Sequence, residues 1–281
     1  MSAETLVSEV NIPGKHILGD AKVTENATVA GNATVYGNAN VFGNAEVFGN
    51  AHVSGLAKVF GNANVSGKAE VFDNAKVSDR AKVSGGAKVF GNARVSGNAE
   101  VYGYAEVSGD AHVYDGAKVY GKAIVYGNAQ VRGNAQVLGK AHVLDNAWVC
   151  DDAEVYDNAT VYDDAMVSGG AKVFGKAEVS GNAKVWGDAH VYGKAWVGGN
   201  AQVYGNAYVN GYAEVSGDAV VYGNAKVYDN AKVSGRVFVT GEAEVYGTAN
   251  ISGDAVILGG NWDGSEGPIT SGRWKSPGVP A

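Results

Sequence analysis

The chain has 281 residues, of which 42 are Gly, 4 are Pro and 1 is Cys; hydrophobic residues make up 46% and the formal net charge is −7. Gly at this level without the every-third-residue Pro pattern is not collagen, and the hydrophobic share is too high for a disordered linker. One cysteine excludes an intrachain disulfide framework and a Cys-cluster zinc site, and singly scattered Lys and Arg argue against a nucleic-acid partner, whose phosphates need clustered cations.

Residues 1–16 lack any repeat. Glu4 and Glu9 stand where a signal peptide would carry basic residues before an apolar run, and Pro13 suits an N-terminal cap that blocks strand pairing at an open edge. No stretch reaches the ~20 apolar residues of a membrane span, so no membrane insertion is expected. The default address is the cytoplasm, with a virion or cell surface as the setting if the chain belongs to a fibre.

Residues 17–259 follow one rule. A branched residue recurs every sixth position from Ile17 through Val23, Val29 and Val35 to Ile257, without insertion or deletion. Four residues after each Val stands Ala, from Ala21 to Ala255, with Val237 as the exception. Two residues after each Val stands Gly or Asp, except at Glu25, and the next residue is most often Asn. Ala-x-Val alternates with period two, so Ala and Val share one face of a strand. A six-residue period would smear an apolar stripe around a helix, and Gly in every hexad would erode it by about 1 kcal/mol each. Gly-Asn is turn chemistry, and Asp in the Gly slot bonds its local backbone. Each hexad is therefore a short strand plus a corner, and such strands are stable only when successive coils stack and bury Val and Ala between them. The expected fold is all-β, a single-stranded parallel β-solenoid.

The pattern Val35-Tyr36-Gly37-Asn38-Ala39, repeated over some 240 residues, resembles the hexapeptide-repeat superfamily. That resemblance implies a left-handed β-helix with three hexads, or 18 residues, per coil. About 13 coils at ~4.8 Å spacing would make a rod roughly 65 Å long. The charges before each Val do not choose the coil size. Lys82, Glu100, Lys118, Gln136, Glu154 and Lys172 mostly alternate at a period of 18, while Glu46, Lys58, Glu70 and Lys82 alternate at 12. The chain departs from the superfamily's enzymes in carrying large residues directly after Val, such as Phe42, Phe48 and Phe60. It also has no loop between coils, so it resembles long non-catalytic solenoids more than the loop-bearing acyltransferases. Within the repeat, Arg236-Val237-Phe238-Val239 is the main irregularity, read as a local bulge. Residues 260–281 leave the pattern, with Trp262, Trp274, Pro268, Pro277 and Pro280 among Gly and Ser. They are expected to form a C-terminal cap, with Trp262 over the last Val layer, followed by an extended tail.

Candidate chemistry is sparse. Of the histidines His16, His52, His112, His142 and His190, the last four occupy the outward slot before Val, which is a surface position. At 18 residues per coil His52 and His142 share a face at about 24 Å, too far apart for one metal. Asp145 and Asp163 would stack at one corner and form a weak candidate cation site. Most aromatic residues follow a Val directly. At 18 residues per coil Tyr102, Tyr120, Tyr156, Phe174, Tyr192, Tyr228 and Tyr246 share one face, which suits a partner or sugar surface, or plain stacking between coils. No catalytic residue and no cofactor is expected. The functional expectation is a non-catalytic structural rod, fibre or spacer segment that associates with other copies of itself through its aromatic rows. The alternatives are an acyltransferase-like enzyme active as a trimer, and a carbohydrate-binding surface that takes a glycan.

Overall fold

Each hexad contains an outward residue, a Val and a corner, and the backbone divides accordingly. Most strands are two residues long, the outward residue plus its Val, as in Glu154–Val155, Thr160–Val161 and Met166–Val167. The residue after Val leaves the strand and the Gly or Asp turns the chain. After Tyr192, Gly193 adopts a φ of 75°, and the N–H of Ala195 donates back to the Tyr192 carbonyl at 3.4 Å. A Cβ on Gly193 would stand 2.9 Å from the backbone nitrogen of Gly211, one turn on, so both the left-handed φ and the close approach call for glycine.

The computed structural model describes residues 16–24, 26–277 and 279–280. The expected N-terminal cap over 1–16 lies outside these residues apart from the backbone of His16. The chain divides into two units, Met1–Gly133 and Asn134–Ala281. In both, partner residues are 18 apart: Val83 pairs with Val101 in the first, and Val155 with Val173 in the second. Three hexads therefore make one turn, and 18 is the coil size. Glu46, Lys58 and Glu70, which alternate in sign at a period of 12, fall on three different sheets.

Three parallel sheets result, and letters A, B and C mark the three phases of the 18-residue repeat. In the first unit, phase A runs through His16–Gly19, Thr34–Gly37, His52–Val53, Glu70–Val71, Lys88–Val89, Glu106–Val107 and Ile124–Val125. Phase B begins at Lys22–Val23 and ends at Gln130–Val131, and phase C runs from Thr28–Val29 to Lys118–Val119. In the second unit, phase A runs from His142–Val143 to Asn250–Ile251, phase B starts at Trp148–Val149, and phase C runs from Gln136–Val137 to Asn261–Trp262. No helix occurs among the described residues.

The interior consists of stacked Val and Ala. From Ala33 to Ile257 the inward side chains of both slots are buried, nearly all at 0% exposure. Each Val contributes about 1.5–3 kcal/mol by leaving water. Outward amides close the ladder to the next turn, as in Tyr156 N–H to the Val173 carbonyl at 3.0 Å and Asn158 N–H to the Gly175 carbonyl at 2.8 Å.

Two irregular regions are informative. The expected bulge at Val237 is not there: Val237 is fully buried in the Ala slot, and Phe238 keeps an unshifted 18-residue register with Val220 and Val256. The corner before it is an ordinary one, with Gly235 at φ 80°, and Arg236 is held bidentate by Asp254 at 2.8 and 3.0 Å. At the C-terminus the frame shortens, because Val245 pairs with Trp262 and Ile257 with Trp274, each 17 residues on. Trp262 takes the inward slot at 1% exposure and donates its indole N–H to the Gly259 carbonyl. Trp274 meets it edge-on at 6.2 Å. The second half of this segment, expected as an extended tail, is paired backbone: Arg273–Ser276 adds in parallel to Val256–Ile257, and Val279–Pro280 then pairs antiparallel. Pro280, on this antiparallel strand, has no N–H to give to a ladder.

Candidate functional surface

Within each unit the outward slots of the described residues recur one turn away, so the surface consists of ladders. The slot after Val is half-buried between neighbouring turns, and aromatic residues there stack. In the first unit Tyr102 lies on Tyr120 at 4.7 Å between ring centroids, with 4° between planes. In the second unit Tyr156, Phe174 and Tyr192 form a continuous run at 4.8 Å and 2° per step, and Tyr228 lies on Tyr246 at 5.1 Å. The sequence row is thus divided, with Asn210 in the slot between Tyr192 and Tyr228. Further stacks occur on phase B: Phe42 on Phe60 at 4.9 Å, and Trp186, Tyr204 and Tyr222 in line at 4.3 and 5.1 Å. Parallel rings at these separations cover one another's faces and leave their edges to solvent.

Burial between turns raises several of the phenols. It raises Tyr102, with Tyr120 and Glu100 adding to it, and it raises Tyr156, with Glu154 and Asp157 adding to it. Tyr228 is pushed up to about 12 by burial and then by donating its hydroxyl to Glu244 at 3.0 Å. Exposed Tyr212 moves the other way, because the Lys194 ammonium hydrogen-bonds its oxygen at 2.9 Å.

Asp145 and Asp163 do stack at one corner, and their carboxylates are engaged with backbone. Asp145 Oδ2 accepts the N–H of Asp163 at 3.3 Å, and Asp163 Oδ2 accepts that of Gly181 at 2.9 Å. The same bond recurs one turn on from Asp73, Asp79, Asp115, Asp151, Asp157 and Asp229, all at φ between 57° and 62°. Asp thus stands for Gly because it bonds the next corner. Among the described residues no three His, Cys, Asp or Glu side chains gather as a metal site.

The histidines fit into the same ladders. His52 Nδ1 is hydrogen-bonded to Thr34 Oγ1 one turn away. His112 lies edge-on to Tyr114 and is held below the usual imidazole range by burial and by Arg94. His190 stacks on Tyr208 at 5.0 Å. Asn side chains pair likewise, Asn44 with Asn62 at 3.3 Å and Asn146 with Asp164 at 3.0 Å. Cys150 is buried in an ordinary slot after Val, its Sγ 3.9 Å from Asp151 Oδ2.

Sequence reasoning missed a group of serines. Ser54, Ser108 and Ser180 are the buried polar residues among those described, at 9%, 4% and 4% exposure. All occupy the slot after Val in phase A. Ser54 has Tyr36 and Phe72 in the same slot of the turns on either side, and Ser108 has Phe90 and Tyr126. Over Ser180, the Trp196 indole folds across the position of Gly198 and donates to Ser180 Oγ at 3.0 Å. Reading the slot after Val at intervals of 18 would have shown the order Tyr36, Ser54, Phe72, Phe90, Ser108, Tyr126. A shallow depression lies at the first gap, lined by Tyr36, His52, Ser54, Glu70 and Phe72.

Equal turns, parallel pairing at 18 residues and a Val–Ala interior define a β-solenoid repeat protein. A family model described as the YdcK beta solenoid repeat matches residues 153–169 and 201–217. Each match is close to one turn long. The first begins in phase C and the second in phase B, so the similarity follows the hexad, not one fixed face. The match fits the hexapeptide-repeat solenoid class that the residues resemble. A comparison with curated proteins finds no match.

Proposed function

We propose that this chain is a non-catalytic structural element, a stiff spacer built by adding equal turns. The observation behind this reading is that outward side chains bind their own counterparts one turn away. Aromatic ring meets aromatic ring, Asn meets Asn or Asp, Asp meets the next backbone N–H, and Lys meets Glu, as in Lys82–Glu100 at 3.1 Å and Lys226–Glu244 at 2.8 Å. Each such pair adds only a fraction of a kcal/mol to about 1 kcal/mol, but all of them resist sliding or twisting of one turn over the next. A surface engaged in this way suits bearing and spacing better than conversion of a substrate.

The test is to duplicate one turn, residues 157–174, and compare both chains by solution scattering and negative-stain microscopy. The expected result is a particle lengthened by about 4.8 Å with the same cross-section. A changed cross-section, or heat on titrating acetyl-CoA into the full chain, would overturn the proposal.

A further inference from the structure

The depression at Ser54 lies where the row of rings lacks a rung, between Tyr36 and Phe72. Stacked aromatic residues in this slot on successive turns sit 4.3–5.1 Å apart with planes within 11°, as in Trp186–Tyr204 and Tyr204–Tyr222. Tyr36 and Phe72 are two turns apart, so the strands that carry them lie about 9.6 Å apart, twice the ~4.8 Å spacing of strands. A six-membered ring inserted midway would lie about 4.8 Å from each wall, the separation this protein already uses. Phe72 is braced from behind by Phe90 at 4.9 Å and 2°. The floor, Ser54, is recessed at 9% exposure, and His52 and Glu70 line the side, the imidazole held through Nδ1 by Thr34.

We infer that this gap is a carbohydrate-binding slot, in which a pyranose ring lies between Tyr36 and Phe72 with its hydroxyls hydrogen-bonded to Glu70, His52 and Ser54. Two walls and a polar side demand a ring that is apolar on both faces and polar around its rim. An all-equatorial pyranose meets that demand, since its axial C–H groups point at both walls and its hydroxyls radiate in the ring plane. A galacto-configured ring has an axial hydroxyl aimed at one wall and fits less well. The second unit supplies an internal analogue: the indole of Trp196 beside Ser180 shows that a ring with a hydrogen-bonding edge suits a recessed serine of this slot.

The inference does not depend on the spacer reading, since a spacer can carry a binding slot. Saturation-transfer NMR on the full chain tests it, with methyl β-D-glucopyranoside, methyl β-D-galactopyranoside and indole as separate probes. The expected result is transfer to the ring C–H protons of the glucoside, with the galactoside weaker. Tyr36→Ala should reduce glucoside affinity about tenfold, the equivalent of one lost aromatic face. Ser54→Phe should abolish the signal by inserting the missing ring, while circular dichroism and the melting temperature verify that the variant is folded. Absence of glucoside transfer in the wild type, equal transfer in Ser54→Phe, or transfer to indole alone would each overturn the inference.

Discussion

Along phase C of the second unit, Tyr156, Phe174 and Tyr192 stack ring on ring, whereas along phase A of the first unit Ser54 stands between Tyr36 and Phe72. The backbone follows the same plan in both places, a short strand and a left-handed corner, although Tyr36 lies within the longer strand Thr34–Gly37. What differs is whether each ring face is covered by the next turn. In the filled row the faces are consumed internally, and the row contributes stiffness. In the gapped row a recessed serine stands between two aromatic residues, and the three line a depression with His52 and Glu70. On a solenoid this regular, a change of one side chain converts structural surface into candidate binding surface without altering the fold.

Substitutions can break or sharpen that contrast. The largest effect should come from the corner below the filled row. Gly193→Val forces a β-branched residue into the left-handed region and a Cβ to 2.9 Å from Gly211 N, and should cost about 3 kcal/mol or more by chemical denaturation. Gly193→Asp should be far milder, because Asp already occupies eight such corners and bonds the next turn. If the two variants melt alike, corner geometry is not what holds the row.

Next, Phe174→Ala removes both of that ring's stacking contacts, with Tyr156 and with Tyr192, and should destabilise by about 1–3 kcal/mol. Ser54→Phe is the converse, adding two stacks in the gapped row, and should raise stability by about 1–2 kcal/mol after the cost of ordering the ring. A loss of stability in the second variant would mean that the gap is narrower than two turns imply.

The Tyr228 phenol gives a pH readout. Folding lifts it from 10 to about 12, so the folded chain keeps a proton that the unfolded chain releases above pH 10. Its contribution is complete below pH 10 and is lost as the pH rises toward 12. Ultraviolet titration should show one phenol ionising near pH 12, absent in Tyr228→Phe. The smallest effect is expected at the exposed Lys82–Glu100 pair, where a double-mutant cycle should give about 0–1 kcal/mol and less in high salt.

The interior was readable residue by residue. Val every sixth position, Ala four residues later and Gly-Asn between them leave one arrangement that buries the apolar face and pairs the backbone. The seven-residue aromatic row was readable as a face but not as contacts: the sequence put Tyr192 and Tyr228 on one line, and the fold separates them at Asn210. Asp145 and Asp163 were readable as neighbours, but their bonds to backbone N–H groups needed coordinates. Ser54 and Ser108 escaped notice because serine after Val is common in this chain, and only the aromatic neighbours 18 residues away set these two apart.

By itself the chain's six-residue period determined an all-β solenoid and which side chains face inward, because strand alternation is local and needs no knowledge of distant residues. The number of hexads per turn, the pairing of outward slots and the gap at Ser54 were decided by tertiary structure. Charge patterns satisfied periods of both 12 and 18, and the contacts that distinguish them join residues a full turn apart.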